Sequence, residues 1–165
     1  MKYFLPILKA LEGEDIRYVV VGGIATVLNG YPRLTGDIDL ILDLADRTNC
    51  TEVLKRLQNL KMTPRNPVNI FDFADPDKRR EWVEEKGMLV FSLYSPLFPL
   101  LEVDLFVKDP MPFSELFNNS RIMVVENTKI RVASLDDLIF LKKLAGRPKD
   151  LEDIDNLLLI KNYNR

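Results

Sequence analysis

The chain has 165 residues, of which 47% are hydrophobic, and its 23 Lys and Arg against 25 Asp and Glu give a net charge of only -2. This balance fits one globular domain and excludes the strongly basic composition of proteins that coat nucleic acid, so any polyanion site has to be local. The sequence contains no histidine and one cysteine, which excludes Ser-His-Asp and Cys-His catalysis, histidine-rich zinc sites and an intramolecular disulfide.

The cysteine content and the apolar pattern predict a cytoplasmic protein without membrane association. The apolar segment 1–11 has the spacing of an amphipathic helix, and the charged residues after it come without the small-residue cleavage site of a signal peptide. No apolar run approaches the ~20 residues that a membrane span requires. Cys50 is interpreted as a packing residue rather than a nucleophile.

The first part of the sequence alternates β-rich runs with segments of helical apolar spacing. The predicted elements are a strand at 17–21, a helix at 24–28, a strand at 38–42 and a helix at 51–60. Gly22–Gly23 ends the first strand in a tight turn, and the second strand is apolar enough to be buried on both faces. Residues 61–77 mix prolines with short apolar pieces and favour no element.

The remaining residues predict further strands and then two helices. The predicted elements are a solvated helical turn at 77–86, strands at 88–94 and 100–107, a hairpin of 121–126 with 129–133, and helices at 134–145 and 150–162. Ser134 is a predicted N-cap, and Gly146 to Pro148 separate the last two helices. This order predicts an α/β (α+β) domain over 1–165, with a small mixed sheet flanked by helices in 1–133 and a C-terminal helical hairpin in 134–165.

Two aspartates flank Ile38 at the start of the second predicted strand. Because side chains alternate along a strand, Asp37 and Asp39 share one face while Ile38 points into the core. Two carboxylates at this spacing repel each other, and a divalent cation between them removes the repulsion. An Asp-x-Asp pair by itself also fits ordinary surface charge, so the metal interpretation depends on further ligands.

The predicted strand 100–107 repeats this alternation. Glu102 and Asp104 fall on one face, and Val103 and Leu105 fall on the other. Asp104 can therefore complete a set of three carboxylates from two neighbouring strands, which is the ligand type that holds one or two divalent metals in phosphoryl transfer. Taken alone, Asp104 also fits a strand residue that faces solvent.

The glycine pair after the first strand predicts a phosphate site. Neither Gly22 nor Gly23 carries a Cβ, so backbone N–H groups can approach phosphate oxygens. A helix beginning near Ile24 adds the positive end of its dipole. A glycine pair also occurs in plain turns, but strand, glycine turn, helix and acidic pair together predict a triphosphate held beside a metal.

Two stretches of the chain resemble a known family. Residues 21–25, VGGIA, and 30–40, GYPRLTGDIDL, resemble the signature of polymerase-beta-type nucleotidyltransferases, and especially of their AbiEii-like toxin branch. Residues 134–138, SLDDL, and 147–154, RPKDLEDI, are similar to the helical end of that branch. The resemblance covers about half of the chain and leaves residues 43–99 without a matching motif.

The resemblance implies a nucleotidyltransferase fold and a role for each matched position. The glycine turn, Gly22 and Gly23, is implied to bind the triphosphate of an NTP. Lys142 and Asp150 are implied to assist in the helical part. The positions implied to bind the cofactor, Mg²⁺ or Mn²⁺, and to be catalytic are Asp37, Asp39 and Asp104.

One position departs from the family pattern. Many members place Ser or Thr directly after the glycine pair, whereas this chain has Ile24. A hydroxyl for the phosphate has to come from Thr26 or Thr35 instead. Arg33 fits either a contact to the substrate or a brace for its own loop.

The densest basic patch lies at the end of the first C-terminal helix, and its members are Lys142, Lys143, Arg147 and Lys149. Lys142 fits either a phosphate contact or a solvated helix face. Asp150 and Asp153 fit partners for the basic residues beside them, or charges that favour the start of the last helix.

The combined pattern predicts an enzyme that transfers a nucleoside monophosphate from an NTP to a hydroxyl and releases pyrophosphate. The family resemblance allows a tRNA end, a protein hydroxyl or a small molecule as acceptor, and it extends to a toxin-antitoxin component with a cognate partner protein. The alternative is a non-catalytic or weakly catalytic antitoxin-like partner that retains the fold. A structural domain with coincidental acids ranks last, because it requires every motif to be accidental.

Overall fold

The computed structural model describes residues 3–163, and within them the chain forms a mixed sheet with helices packed on it. The strands are β1 (Tyr18–Val21), β2 (Asp37–Leu42), β3 (Thr63–Pro64), β4 (Val90–Tyr94), β5 (Glu102–Phe106), β6 (Arg121–Val125) and β7 (Thr128–Val132). The helices are α1 (Leu5–Ala10), α2 (Gly22–Leu28), α3 (Arg47–Asn59), α4 (Pro76–Lys86), α5 (Phe113–Asn119), α6 (Leu135–Ala145) and α7 (Pro148–Tyr163), with a 3-10 helix at Ile70–Ala74.

The strands lie in the order β3-β4-β5-β2-β1-β7-β6. The pairs β2–β5 and β1–β7 are parallel, and the other neighbours are antiparallel. This confirms the predicted mixed sheet flanked by helices. Residues 38 and 40–42 of β2 are fully buried because β2 lies in the middle of the sheet and α2 packs against it.

The pairing of β2 places its first residues beside the glycine turn. β1 runs antiparallel to β2, with Val21 opposite Asp39. The last residue of β1 and the first residues of β2 therefore lie side by side at the same end of the two strands. Gly22 and Gly23 follow β1 there directly. The glycine pair and the aspartate pair, which are 14 to 17 residues apart in the sequence, are therefore neighbours in space.

The C-terminal helices form the predicted hairpin. The Ser134 hydroxyl accepts a hydrogen bond from the backbone N–H of Asp137 at 3.1 Å, which confirms Ser134 as the N-cap of α6. Gly146, with a φ of +62°, ends α6 in the left-handed conformation, and α7 begins two residues later at Pro148. No helix within residues 3–163 combines the length and the apolar character that crossing a bilayer requires.

Helices α3, α4 and α5 differ most from the sequence prediction. The segment predicted as a solvated turn is the helix α4, in which Trp82 is buried and stacks on Phe91 at 5.1 Å between ring centroids. Arg79 is also buried there, because its guanidinium donates to the carbonyls of Phe73 and Leu44. The short helix α5 was not predicted, and α3 begins at Arg47, four residues early, because the Asp46 carboxylate caps it.

Two predicted elements at the chain termini lie partly outside the described residues. The N-terminal helix predicted for 1–11 is present as α1, and residues 1–2 of that prediction lie outside the described part. The C-terminal helix is α7, and residues 164–165 of the predicted helical region lie outside it as well.

Candidate active site

The parallel register of β2 and β5 brings the predicted acids onto one face of the sheet. Asp39 lies opposite Asp104, and Asp37 lies opposite Glu102. Residues in register on neighbouring strands point to the same side of a sheet, and alternation places positions 37 and 39 together. The structure therefore brings together acids that are 65 residues apart in the chain, as the strand alternation predicts.

Burial and mutual repulsion control the ionisation of this acidic face. Burial raises the pKa of Asp39 to about 6, and the neighbouring charges of Asp104 and Asp37 add to the effect, while the Gly23 amide opposes it. Burial also raises the pKa of Asp104, against a hydrogen bond from Ser92 that lowers it. The two carboxylates thus share a site in which a negative charge is costly unless a cation compensates it.

The acidic face fits a hard divalent cation in the chemistry of its donors. Oδ1 of Asp104 is buried and has no hydrogen-bond partner in the described part of the chain. A buried carboxylate oxygen without a partner is expensive, and a metal ion is one of the groups that can satisfy it. Asp39, beside it in register, supplies a second oxygen donor from the neighbouring strand.

The three carboxylates are nevertheless not gathered into a finished cluster. Within residues 3–163, no three Asp, Glu, His or Cys side chains stand close enough together to hold a metal ion between them. Asp37 is exposed at the first position of β2, whereas Asp39 and Asp104 lie deeper. Neighbouring carboxylates repel each other, and this repulsion favours side-chain conformers that keep their oxygens apart.

Neighbouring side chains approach Gly22 and Gly23 so closely that neither position has room for a Cβ atom. Gly22 has a φ of +63°, and a Cβ there would lie 1.9 Å from Oδ2 of Asp39. A Cβ on Gly23 would lie 2.3 Å from Oγ1 of Thr35. Any larger residue would displace the Asp39 carboxylate or the loop that carries Thr35. The helix begins at Gly22 rather than at the predicted Ile24, so the glycines form the first turn of α2.

The predicted hydroxyls have different positions. Thr26 is fully buried, and its hydroxyl donates to the carbonyl of Gly22 at 2.9 Å, so the phosphate contact predicted for it does not fit the structure. A helical threonine commonly bonds back to the carbonyl four residues earlier, and this bond braces the glycine turn from behind. Thr35 lies against Gly23 on the loop before β2 and remains beside the site.

Lys142 is part of a buried ion-pair network, so the expectation of a solvated helix face is wrong. Its Nζ lies 2.6 Å from Oδ2 of Asp153 and 3.6 Å from Oδ1 of Asp150. Arg33 also forms an ion pair with Asp153. Lys142, Asp150 and Asp153 are all buried, and Lys142 is only 4% exposed. Asp153 thus ties the loop before β2 to the helical hairpin, and Arg33 braces its loop in this way.

Arg147 is the member of the predicted basic patch whose charge acts on the acidic face. Its Nε donates to Oδ2 of buried Asp150 at 2.7 Å, and a second guanidinium nitrogen donates to Oδ1 at 3.2 Å. Burial raises the pKa of Asp150, but these Arg147 contacts outweigh it, so the pKa stays below its usual value. The Arg147 side chain is still 59% exposed, and its charge lowers the pKa of Asp39.

A cavity of about 330 Å³ lies between the glycine turn and the helical hairpin. Gly22 and Asp39 line it on one side, and Lys142, Arg147 and Asp150 line it on the other. Leucines of α6 and residues of β5 complete mostly apolar walls. A concave, largely apolar space with a few convergent polar groups is the usual form of a small-molecule site.

Ser92 is a residue that sequence reasoning missed. It lies opposite Asp104 in the antiparallel pair of β4 and β5, where hydrogen bonding from its hydroxyl lowers the pKa of the Asp104 carboxyl. The alternation of Phe91, Ser92 and Leu93 places a polar residue on the Asp104 face, but only the register of β4 against β5 shows which residue it meets.

The comparison with solved structures agrees on the fold. The lincosamide antibiotic adenylyltransferase LnuA, solved with lincomycin, is 19% identical, covers 96% of each chain and has a TM-score of 0.63. The Thermotoga maritima protein TM1012, a proposed nucleotidyltransferase, is 17% identical, covers 95% of this chain and 91% of that chain, and has a TM-score of 0.59. ANT(2")-Ia, solved with adenylyl-2"-tobramycin, is 14% identical, covers 98% and 95%, and has a TM-score of 0.55.

The fold of this chain is therefore the nucleotidyltransferase fold. No curated protein matches the chain in sequence, and the AbiEii-like branch stays a prediction. The family model described as "Nucleotidyltransferase of unknown function (DUF6036)" matches residues 7–164. Because that match spans nearly the whole chain, the protein belongs to the DUF6036 family of nucleotidyltransferases.

Proposed function

We propose that this protein transfers a nucleoside monophosphate from an NTP to an acceptor hydroxyl. The observation that carries the proposal is the register of Asp39 against Asp104, next to a cavity whose walls include Gly22, Asp39 and Arg147. A triphosphate has to be positioned and its charge stabilised. Acids that can hold a metal, a glycine turn and a cation are the groups that do this, and here they lie beside the same cavity.

Asp37, Asp39 and Asp104 would hold Mg²⁺ or Mn²⁺, with the partnerless oxygen of Asp104 as one donor. Such a metal, when bound, neutralises charge on the phosphates and lowers the pKa of the acceptor hydroxyl. Arg147 faces the negative triphosphate from the opposite wall, and its fork geometry suits phosphate oxygens. Lys142 and Asp150 hold Arg147 and the hairpin in place from the buried side.

The reaction balances without a further reactant. The acceptor oxygen forms a bond to the α-phosphorus while the bond from that phosphorus to the bridging oxygen breaks, and pyrophosphate leaves with that oxygen. The acceptor proton passes to a carboxylate of the acidic face, for which Asp104 is the candidate, because a carboxylate within hydrogen-bond reach of the acceptor hydroxyl can act as a general base. Exchange with water then returns Asp104 to its ionised form.

The acceptor follows from neither the fold nor the family. Lincomycin and adenylyl-2"-tobramycin occupy two structural neighbours, which favours a small molecule. The tRNA or protein acceptors and the toxin-antitoxin partner implied by the sequence resemblance stay predictions. The alternative function is that of a non-catalytic binding partner, and the assay described next distinguishes it from an enzyme.

The test is label transfer from each of the four α-labelled NTPs with Mg²⁺ or Mn²⁺ to RNA, to protein or to a small-molecule extract. We expect transfer by the wild-type chain and by Asp155→Asn, an exposed control on α7. Asp39→Asn should reduce transfer by at least about 100-fold, because it removes one charge from the proposed metal site. Nucleotide binding without transfer in any fraction would favour the binding partner, and equal transfer by Asp39→Asn would refute the assigned site.

A further inference from the structure

A second cavity, of about 350 Å³, lies beside Asp37 at the start of β2. Its walls are the register pair of Asp37 and Glu102 and the turn at 95–101 that joins β4 to β5. It shares no lining residue with the cavity beside Arg147. Asp39 lines the first cavity and Asp37 lines the second, so the two spaces flank the acidic face of the sheet.

The charges of the second cavity do not suit a polyanion. Among its lining residues, all of them in the described part of the chain, Arg65 is the single cation. Its Nε donates to Oε2 of Glu102 at 2.9 Å, and a second nitrogen also bonds that carboxylate, so the charge is compensated. A nucleic-acid end requires uncompensated Lys or Arg groups for its phosphates, and here carboxylates take that place.

Most of the remaining lining residues carry apolar side chains, and two of the large ones are open to solvent. Tyr94 is 43% exposed and Leu100 is 83% exposed, and the Arg65 guanidinium lies over the Tyr94 ring at 5.7 Å from its centroid. Prolines at positions 96 and 99 stiffen the turn that carries them. Exposed large apolar side chains at the rim of a cavity with a few fixed polar groups mark a ligand site.

We propose that this cavity binds the acceptor, and that the acceptor is a small, largely apolar organic alcohol rather than the end of a nucleic acid. The assignment rests on the proposed function, because it places the acceptor hydroxyl on the Asp37 side of the acids and the nucleotide on the Arg147 side. The apolar body of the acceptor packs on Tyr94 and Leu100, and the Arg65–Glu102 pair supplies one donor and one acceptor group for its polar atoms.

The experiment uses tyrosol, an aromatic ring that carries a two-carbon primary alcohol, as the probe. Saturation-transfer NMR on the full chain measures its binding to the wild type, to Tyr94→Ala and to Leu144→Ala, a matched control that lines only the other cavity. We expect a tyrosol signal from the wild type and from Leu144→Ala, and at least a threefold smaller signal from Tyr94→Ala. Because Tyr94 is exposed, its replacement leaves the fold intact, which a thermal melt verifies.

Total tRNA and ATP are measured on the same three proteins. ATP binding with Mg²⁺ should be equal in the wild type and in Tyr94→Ala. If none of the three proteins binds ATP, the proposed function is contradicted, and the tyrosol signals still test the assignment of the second cavity. The acceptor assignment is overturned if tyrosol gives no signal, if its signal is equal in all three proteins, or if tRNA binds and Tyr94→Ala weakens that binding.

Discussion

Asp39 combines an ordinary residue type with an unusual environment. Burial raises its pKa to about 6, above the ordinary value of an aspartate, so the folded state binds a proton more tightly than the unfolded chain. The neutral form is therefore favoured by folding, and stability is lost as the pH rises from about 4 through 6. At neutral pH the fold carries the cost of a buried, repelled carboxylate.

Replacing Asp39 with Asn should stabilise the metal-free protein at neutral pH. With EDTA at pH 7.5 we expect Asp39→Asn to melt on the order of 5 °C higher than the wild type, because the amide has no charge to bury. At pH 4 the difference should vanish. Scanning calorimetry at both pH values measures it, with Asp155→Asn as an exposed control, and an equal melting temperature at pH 7.5 would contradict the assigned cause.

Arg147 matters through its geometry as much as its charge. Its two hydrogen bonds to Asp150 fix the guanidinium plane, while the side chain is 59% exposed and lines the cavity. Arg147→Lys keeps one charge but loses the fork, so we expect ATP to bind roughly tenfold more weakly. Equilibrium dialysis with labelled ATP measures this, and Lys143→Ala, exposed on the neighbouring helix, should leave binding unchanged. Unchanged affinity in Arg147→Lys would remove Arg147 from the site.

At the scale of elements, the helical hairpin of α6 and α7 is joined to the loop before β2 by Asp153. The carboxylate of Asp153 accepts from Lys142 and Arg33, which come from different segments of the chain. Such a buried group is costly to remove, because its two cations then lie in a low-dielectric region without their partner.

Asp153→Asn should therefore destabilise the fold by about 3 kcal/mol. Urea unfolding followed by the fluorescence of Trp82, the single tryptophan, measures the free energy. Asp155→Asn, two residues away on the exposed side of α7, should change it by less than about 0.5 kcal/mol. If the two variants unfold alike, the network contributes nothing to docking the hairpin.

At the scale of the whole molecule, the sheet order predicts how protection is distributed. β1, β2 and β5 have neighbours on both sides, whereas β6 and the two-residue β3 lie at the edges. Ile122 and Val124 of β6 are exposed as well, so this edge opens without uncovering the core.

Hydrogen exchange should therefore be slowest in β1, β2 and β5 and much faster in β6. Amides of residues 38–42 should exchange only through global unfolding, and those of 121–125 through local opening. Mass spectrometry of peptides after timed exchange measures both segments in one sample. Protection of 121–125 equal to that of 38–42 would show that a second copy or partner covers the edge, or that the sheet opens as a unit.

The local features of this protein can be predicted from its amino-acid sequence. Alternation identified which faces Asp37, Asp39 and Asp104 occupy, and the Ser134 cap and Gly146 bounded α6, because these properties depend on residues a few positions apart. The glycine pair was also readable, since its lack of Cβ is a property of the residue. The order of strands and helices was enough to predict a mixed sheet with a helical hairpin.

Contacts between groups that are distant in the chain follow from the folded structure and not from local patterns. Lys142 is buried by Asp150 and Asp153, Ser92 reaches Asp104, and Arg65 pairs with Glu102, and each pairing depends on strand register or helix docking. Thr26 was misjudged for the same reason, because its exposure depends on what packs over α2. Burial and charge compensation are sums over neighbours from the whole chain, whereas periodicity and capping act within one turn or one strand.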